Sequence, residues 1–244
     1  MHGPCSSIKS REMLSQERIK FKTERVGAIP EDLLNSPAFI ALAGKVSDAI
    51  VELEALGATP VMYDGLVGGN AAFILTKDQL PDTQRQHAPL LVVTKSGKAP
   101  NRRPSIADGD FVVAVGFDRT QWKVDYWSVC GEKPTSDTPL HYAALMPREG
   151  RQQPQVAIHG HMFSTEEDAQ LNGLPISKEL TLFSTPEDLH ALQELMDAFP
   201  YPDYRVYIRK GHGFFSVGDT VEMAMENVRC LKQAKSTAGK SDAA

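Results

Sequence analysis

Two histidines stand two residues apart in Ile158-His159-Gly160-His161, and a third lies in Lys210-Gly211-His212-Gly213. In an extended strand, residues i and i+2 point to the same face, so His159 and His161 would stand side by side with Gly160 leaving room behind them. Such a pair suits two ligand positions on one zinc ion, and equally two ordinary hydrogen-bonded histidines. His212 follows a strand-like run, and its flanking glycines permit close approach of other groups. It reads either as an incidental histidine in a tight turn or as a third ligand returning from a neighbouring strand. Three histidines with an open fourth position describe a catalytic zinc centre.

A carboxylate and two hydroxyls come next, in Thr135-Ser136-Asp137-Thr138-Pro139-Leu140-His141. Thr135 and Ser136 suit a helix start, where free amides also attract an anion. Asp137 and His141 are four apart and share a helical face. Asp137 reads as a general acid or base, or as an extra metal ligand; His141 reads as a buried, hydrogen-bonded histidine. The turns Val67-Gly68-Gly69-Asn70 and Thr94-Lys95-Ser96-Gly97-Lys98 could each cradle a phosphate, and each is equally what an ordinary turn looks like. Neither is a P-loop, and no GxGxxG follows a strand. Lys98, Arg102 and Arg103 read as a solvated basic loop, and Trp122, Tyr126 and Trp127 as sheet packing.

The elements that must carry these groups alternate along the chain. Ile40, Ala43, Val46, Ile50 and Leu53 recur at a helical period over 38–56, and Gly57 is a plausible stop. Strands are expected at 71–75, 90–94, 111–117, 122–129, 156–161 and 204–209. Helices are expected at 137–145, 185–199 and 219–232, the second opened by Thr185-Pro186-Glu187-Asp188. Residues 1–35 read as an N-terminal extension, 36–232 as one domain and 233–244 as a flexible tail. Mixed strands and helices point to an α/β sandwich with an antiparallel component.

The chain has 244 residues, enough for one large domain. Its 26 Lys and Arg against 31 Asp and Glu give a net charge of −5, a poor balance for bulk binding of nucleic acid or an anionic membrane. A local basic patch could still grip a small anion. Cys5, Cys130 and Cys230 make no disulfide framework. No apolar run approaches the roughly 18 residues of a membrane span, and no signal-peptide pattern opens the chain, so a cytoplasmic protein is expected.

Taken in order, these motifs resemble the class II aldolase/adducin family, the group of fuculose-phosphate and rhamnulose-phosphate aldolases and ribulose-phosphate epimerases. The likeness covers roughly 38–232, and its specific parts are the HxH, the Gly-His-Gly and Val217-Gly218-Asp219. It implies a three-layer α/β/α sandwich with a mixed, largely antiparallel central sheet, often assembled as a tetramer with active sites near subunit boundaries. His159, His161 and His212 would hold Zn2+ or another divalent ion such as Mn2+ or Co2+. Asn70, Ser96, Gly97, Thr135 and Ser136 would bind a phosphate, and Asp137 takes the place of the family's usual catalytic glutamate.

Three departures from the family pattern stand out. Asp137 is one methylene shorter than glutamate. Lys95 occupies the proline position of the family's Thr-Pro-Ser-Gly turn. Between the HxH and the last histidine, where the sugar-phosphate aldolases place a tyrosine proton donor, this chain has only Tyr201, Tyr204 and Tyr207, all late. The function implied is a zinc-dependent lyase that makes or breaks a C–C bond through a metal-stabilised enediolate on a small anionic substrate, a sugar phosphate or keto acid. An epimerase or dehydratase using the same enediolate, or a non-catalytic adducin-like scaffold, are the alternatives.

Overall fold

Alternation along the strands sets the layers. Phe73, Leu75, Val92, Val113, Val156 and Ile158 point into one apolar core, while Ala72, Ile74, Leu91, Val93, Val112 and Ala157 point into a second. A sheet with both faces buried reads as near-continuous apolar runs, which is what the chain shows in Leu90–Thr94. The computed structural model describes residues 19–241, with side chains as far as Leu231.

Eight strands form one sheet: β1 (Lys22–Gly27), β2 (Gly69–Leu75), β3 (Leu90–Thr94), β4 (Phe111–Asp118), β5 (Lys123–Trp127), β6 (Val156–Gly160), β7 (Val206–Arg209) and β8 (Gly213–Gly218). Their order is β1-β5-β4-β3-β2-β6-β8-β7. Only β1 and β5 pair in parallel; every other neighbour is antiparallel. The short helix α1 (Glu31–Leu34) leads into α2 (Pro37–Ala55), which covers the first core together with α6 (Val221–Ser241). Helices α3 (Thr138–Leu145) and α5 (Pro186–Ala198) cover the second core. The fold is therefore a three-layer α/β/α sandwich around a mixed, largely antiparallel sheet. A further short helix, α4 (Glu166–Asn172), follows β6.

The helix starts are set by local chemistry. The Ser36 hydroxyl accepts from Phe39 N at the head of α2, and the Thr185 hydroxyl accepts from Asp188 N at the head of α5, each with proline in the first turn. Phe39, Phe73 and Phe111 then lock α2 to the sheet, with ring centroids 6.2–6.5 Å apart.

The boundaries expected from sequence differ from the structure at both ends. Residues 22–27, expected to belong to an extension, form the edge strand of the sheet. Their mostly exposed sequence, Lys-Thr-Glu-Arg-Val-Gly, carries no apolar alternation, and the strand is held through its backbone to β5. Buried Phe21 is the anchor just before it. Residues 1–18 of that extension lie outside the described residues. At the other end α6 runs to Ser241, past the expected stop at residue 232 and through most of the stretch expected to be a flexible tail; residues 242–244 lie outside the described residues. Strand β8 and helix α4 have no counterpart among the expected elements. No helix among the described residues is long and apolar enough to cross a membrane.

Candidate active site

Strand register gathers the site. In the antiparallel β2–β6 pair Asn70 lies opposite His159, and in the β6–β8 pair His159 lies opposite Phe215. The turn from β7 to β8 carries His212 back beside them, since Arg209 pairs with Gly213 across it. Close approach at that turn needs glycine. Gly213 has φ +147°, and a Cβ there would lie 2.0 Å from the Gly160 carbonyl oxygen. Ring centroids of the three histidines are then 4.6–5.3 Å apart, and one ligand atom from each lies within 4.8 Å of the others.

Second partners set which nitrogen faces the centre. His159 Nδ1 lies 2.8 Å from the Phe214 carbonyl oxygen, so Nδ1–H donates there and leaves the Nε2 lone pair turned inward. His212 Nδ1 lies 3.3 Å from Asp188 Oδ2, an ion-pair distance without hydrogen-bond geometry, and its Nε2 faces Asp137 Oδ1 at 3.6 Å. Burial pushes the pKa of His159 well below the ordinary histidine value, keeping the ring neutral. Burial, the largest single influence, works to lower His212, but the Asp188 and Asp137 carboxylates together outweigh it and the net shift is upward.

Asp137 completes the cluster. It precedes α3 and its carbonyl accepts from His141 N at 2.9 Å, but its carboxylate makes no capping bond. The carboxylate turns inward instead, where Asn70 Nδ2 donates to Oδ2 at 2.6 Å. Its oxygens lie 3.7 Å from His159 Nε2 and 3.6 Å from His212 Nε2, too long for hydrogen bonds. Burial alone would raise the Asp137 pKa, but the surrounding histidines and the Asn70 donor hold it well below the usual carboxylate range. His141 Nε2 donates to Asn70 Oδ1 at 2.5 Å; burial lowers the His141 pKa to about 4.

These residues fit a divalent ion. Asp137 Oδ1 and His159 Nε2 are buried without a hydrogen-bond partner, a state that costs free energy unless something else satisfies them. Two donors each about 2 Å from one ion in tetrahedral geometry lie about 3.3 Å apart, close to the carboxylate–imidazole spacings. A set of three imidazole nitrogens and one carboxylate oxygen is suited to zinc or a similar metal.

The anion-cradle candidates share the same cleft. Ser96 N donates to the Lys133 carbonyl at 2.9 Å and Thr135 N to the Thr94 carbonyl at 3.0 Å, which zips the two loops together. Asn70, Ser96, Gly97, Thr135, Ser136, Asp137, His161 and His212 all line the cleft, and buried His159 lies behind it. Lys95 also lines it and pairs with Asp110 at 2.9 Å. Tyr201 and Tyr207 hydroxyls are spent elsewhere, on Asp219 and on the Phe199 and Tyr204 carbonyls. Lys98, Arg102 and Arg103, expected to be solvated, are each paired with an acid: Glu54, Asp110 and Asp48.

Sequence reasoning missed the support behind His212. Arg209 is fully buried and pairs with Asp188 through Nε at 2.9 Å and Nη2 at 2.7 Å. Thr181 and the Ser184 amide also donate to that carboxylate, at 3.0 and 3.2 Å. In the sequence Asp188 is one of two acids in the first turn of α5, and only the fold reveals its second use. Phe183 lines the cleft against His212, with Lys20 above its ring, and neither carries a local signal.

No protein-family model and no curated protein matches the chain. Among solved structures, a sugar-phosphate aldolase from Thermotoga maritima superposes with a TM-score of 0.55 at 15% identity, covering 80% of this chain and 91% of that one. The N-terminal class II aldolase domain of a Thermoplasma acidophilum protein gives 0.52 at 15% identity, over 84% and 94%. An L-fuculose 1-phosphate aldolase gives 0.52 at 15% identity, over 82% and 87%. At such identities the likeness concerns architecture, and the sheet order, the two helical layers and these superpositions together give the chain a class II aldolase-like fold.

Proposed function

We propose that this protein is a divalent-metal-dependent lyase, acting on a small anionic substrate by aldolase-type cleavage or formation of a C–C bond. The observation that carries the reading is the convergence of His159, His161 and His212 on one point faced by Asp137, within a cleft that also holds the Ser96-Gly97 and Thr135-Ser136 turns. The solved structures that share the fold and are named as sugar-phosphate or fuculose-phosphate aldolases support the reaction class.

A divalent ion, zinc by preference, would be held by the three histidines and would supply Lewis-acid stabilisation of negative charge developing on substrate oxygens. The chain's own residues do the rest. Asp137 enters as an ionised carboxylate, so it takes up a proton from the substrate and returns it later. Asn70 holds that carboxylate in place, and His141 fixes the Asn70 amide, because a carboxylate can only accept and Asn70 must therefore present its NH2 to Asp137 and its oxygen to His141. Ser96, Gly97, Thr135 and Ser136 bind the anionic end of the substrate.

Metal analysis of the purified protein tests the reading, followed by turnover of a panel of ketose 1-phosphates and keto acids monitored by aldehyde release. About one ion per chain, lost in His159→Ala, with cleavage of at least one substrate, is the expected result. A chain that binds no ion with zinc in excess, or a His159→Ala variant that retains it, overturns it.

A further inference from the structure

The cleft is lined by two chemistries. Beside the polar groups already described stand Met62, Val67 and Phe183, with exposed Tyr63 at the rim. Met62 and Tyr63 come from the turn that precedes β2. The Met62 amide donates to the Leu66 carbonyl at 2.8 Å, and Val67 bridges to both Val61 and Lys98, which ties the turn down. Gly68 lets it close on the histidines: a Cβ there would lie 2.7 Å from Met62 Sδ and 3.0 Å from His161 Nδ1. Phe183 comes from the loop before α5, and its ring centroid lies 5.6 Å from that of His212. Ser184, next to it, holds φ +62°, a left-handed backbone uncommon for a residue with a side chain. An apolar surface is thus held by fixed backbone against two of the three histidines.

The polar backbone of both segments is spent. In the turn, the Gly65, Val67 and Gly68 amides donate to the Met62, Lys98 and Pro60 carbonyls, and the Leu66 amide donates to Asp64. Around Phe183, the Leu182 carbonyl accepts from the Thr185 hydroxyl, the Ser184 carbonyl accepts from the Trp122 indole, and the Ser184 amide donates to Asp188. Lys20, 3.7 Å from the Phe183 ring centroid, is outside the lining. Met62, Val67 and Phe183 therefore offer the cleft carbon and sulfur. A hydroxyl pressed against them gives up water and gains no partner, whereas an alkyl group buries apolar surface there. We propose that Met62, Val67 and Phe183 are specificity-determining residues that pack against an apolar end of the substrate. The substrate class this assigns is a small phosphorylated molecule that ends in an alkyl group and not in the hydroxylated chain of a sugar. The inference rests on reading the cleft as an anionic-substrate site.

Calorimetric titration of the zinc-supplied full-length protein with hexyl phosphate and with 5-hydroxypentyl phosphate separates the two ideas, because the probes share the phosphate and differ only in a terminal methyl against a hydroxyl. Methyl phosphate reports on the anion cradle alone. Wild type is expected to bind hexyl phosphate about 10-fold or more tightly than 5-hydroxypentyl phosphate. Met62→Gln and Phe183→Ala should each cut that ratio about 3-fold or more and change methyl phosphate by less than about 2-fold. If wild type binds the phosphates without preferring the hexyl ester, or if the variants keep the wild-type ratio, the apolar assignment fails while the anionic-substrate reading stands. If wild type binds none of the three probes, both fail.

Discussion

Two buried carboxylates flank His212, one at each ring nitrogen, and the fold treats them in opposite ways. Asp188, on the Nδ1 side, is saturated: the Arg209 guanidinium, the Thr181 hydroxyl and the Ser184 amide all donate to it. Asp137, on the Nε2 side, receives a side-chain hydrogen bond from Asn70 on one oxygen, while the other has no hydrogen-bond partner. A buried carboxylate with its lone pairs filled has its charge balanced within the protein and can only orient its neighbour. One left half-filled stores an interaction for something that arrives later. The same residue type at similar depth thus separates into a support and a working group by the number of donors aimed at it.

The sharpest way to break that contrast is to substitute each acid in turn. Asp137→Asn keeps shape and volume but removes the proton acceptor. Turnover should fall about 10²- to 10⁴-fold, the usual worth of a positioned acid or base, with a loss of thermal stability in the metal-free protein smaller than that of Asp188→Ala, because the asparagine can still pair with Asn70 and no buried guanidinium is stranded. Asp188→Ala should act chiefly at the level of the fold. It strands the Arg209 guanidinium in the interior, and breaking a buried ion pair from one side costs about 3–5 kcal/mol. For a chain of this size that is a fall of about 6–20 °C in Tm by differential scanning calorimetry. Equal loss of stability in both variants would erase the distinction.

The two acids also differ in how visible they are in the sequence. Asp137 stands in a motif: hydroxyl residues before it, a histidine four later, and a proline that marks the helix start. His159 and His161 are legible because a strand's period of two places them together without any knowledge of the partner strands. His212 is legible through its glycines, which let the chain turn tightly and approach β6 closely at the point where the histidine sits. Asp188 is hidden because a carboxylate in the first turn of a helix has an adequate local explanation, and its pairing with Arg209 exists only because β7 packs beside α5. Strand β1 is hidden for a related reason. A mostly exposed edge strand held by backbone bonds needs no apolar alternation, and so it comes from a stretch that reads as solvated.

Acid sensitivity sharpens the contrast further, with a smaller effect. On the Asp137 side the chain of contacts ends at His141, whose folded pKa is pushed down by burial to about 4 against an ordinary 6.5. Below pH 6.5 the unfolded chain takes up a proton that the folded chain refuses. This contribution is therefore fully present above pH 6.5 and is lost as pH falls toward 4, by about 2 kcal/mol between pH 6.5 and 5 at about 1.4 kcal/mol per unit. On the Asp188 side the sign is opposite. His212 is raised in the folded state, so its contribution is fully present below pH 6.5 and is lost as pH rises through its folded pKa. His159 shifts the same way as His141, so the wild-type curve mixes the three. His141→Gln isolates one of them, since a glutamine amide can still donate to Asn70 Oδ1 but cannot take up a proton in this range. Urea unfolding of the metal-free proteins at pH 7, 6 and 5 should show the variant losing less stability than wild type on acidification. Parallel curves would mean that the Asn70 amide is held without a neutral imidazole behind it, and the working carboxylate would then owe its placement to Asn70 alone.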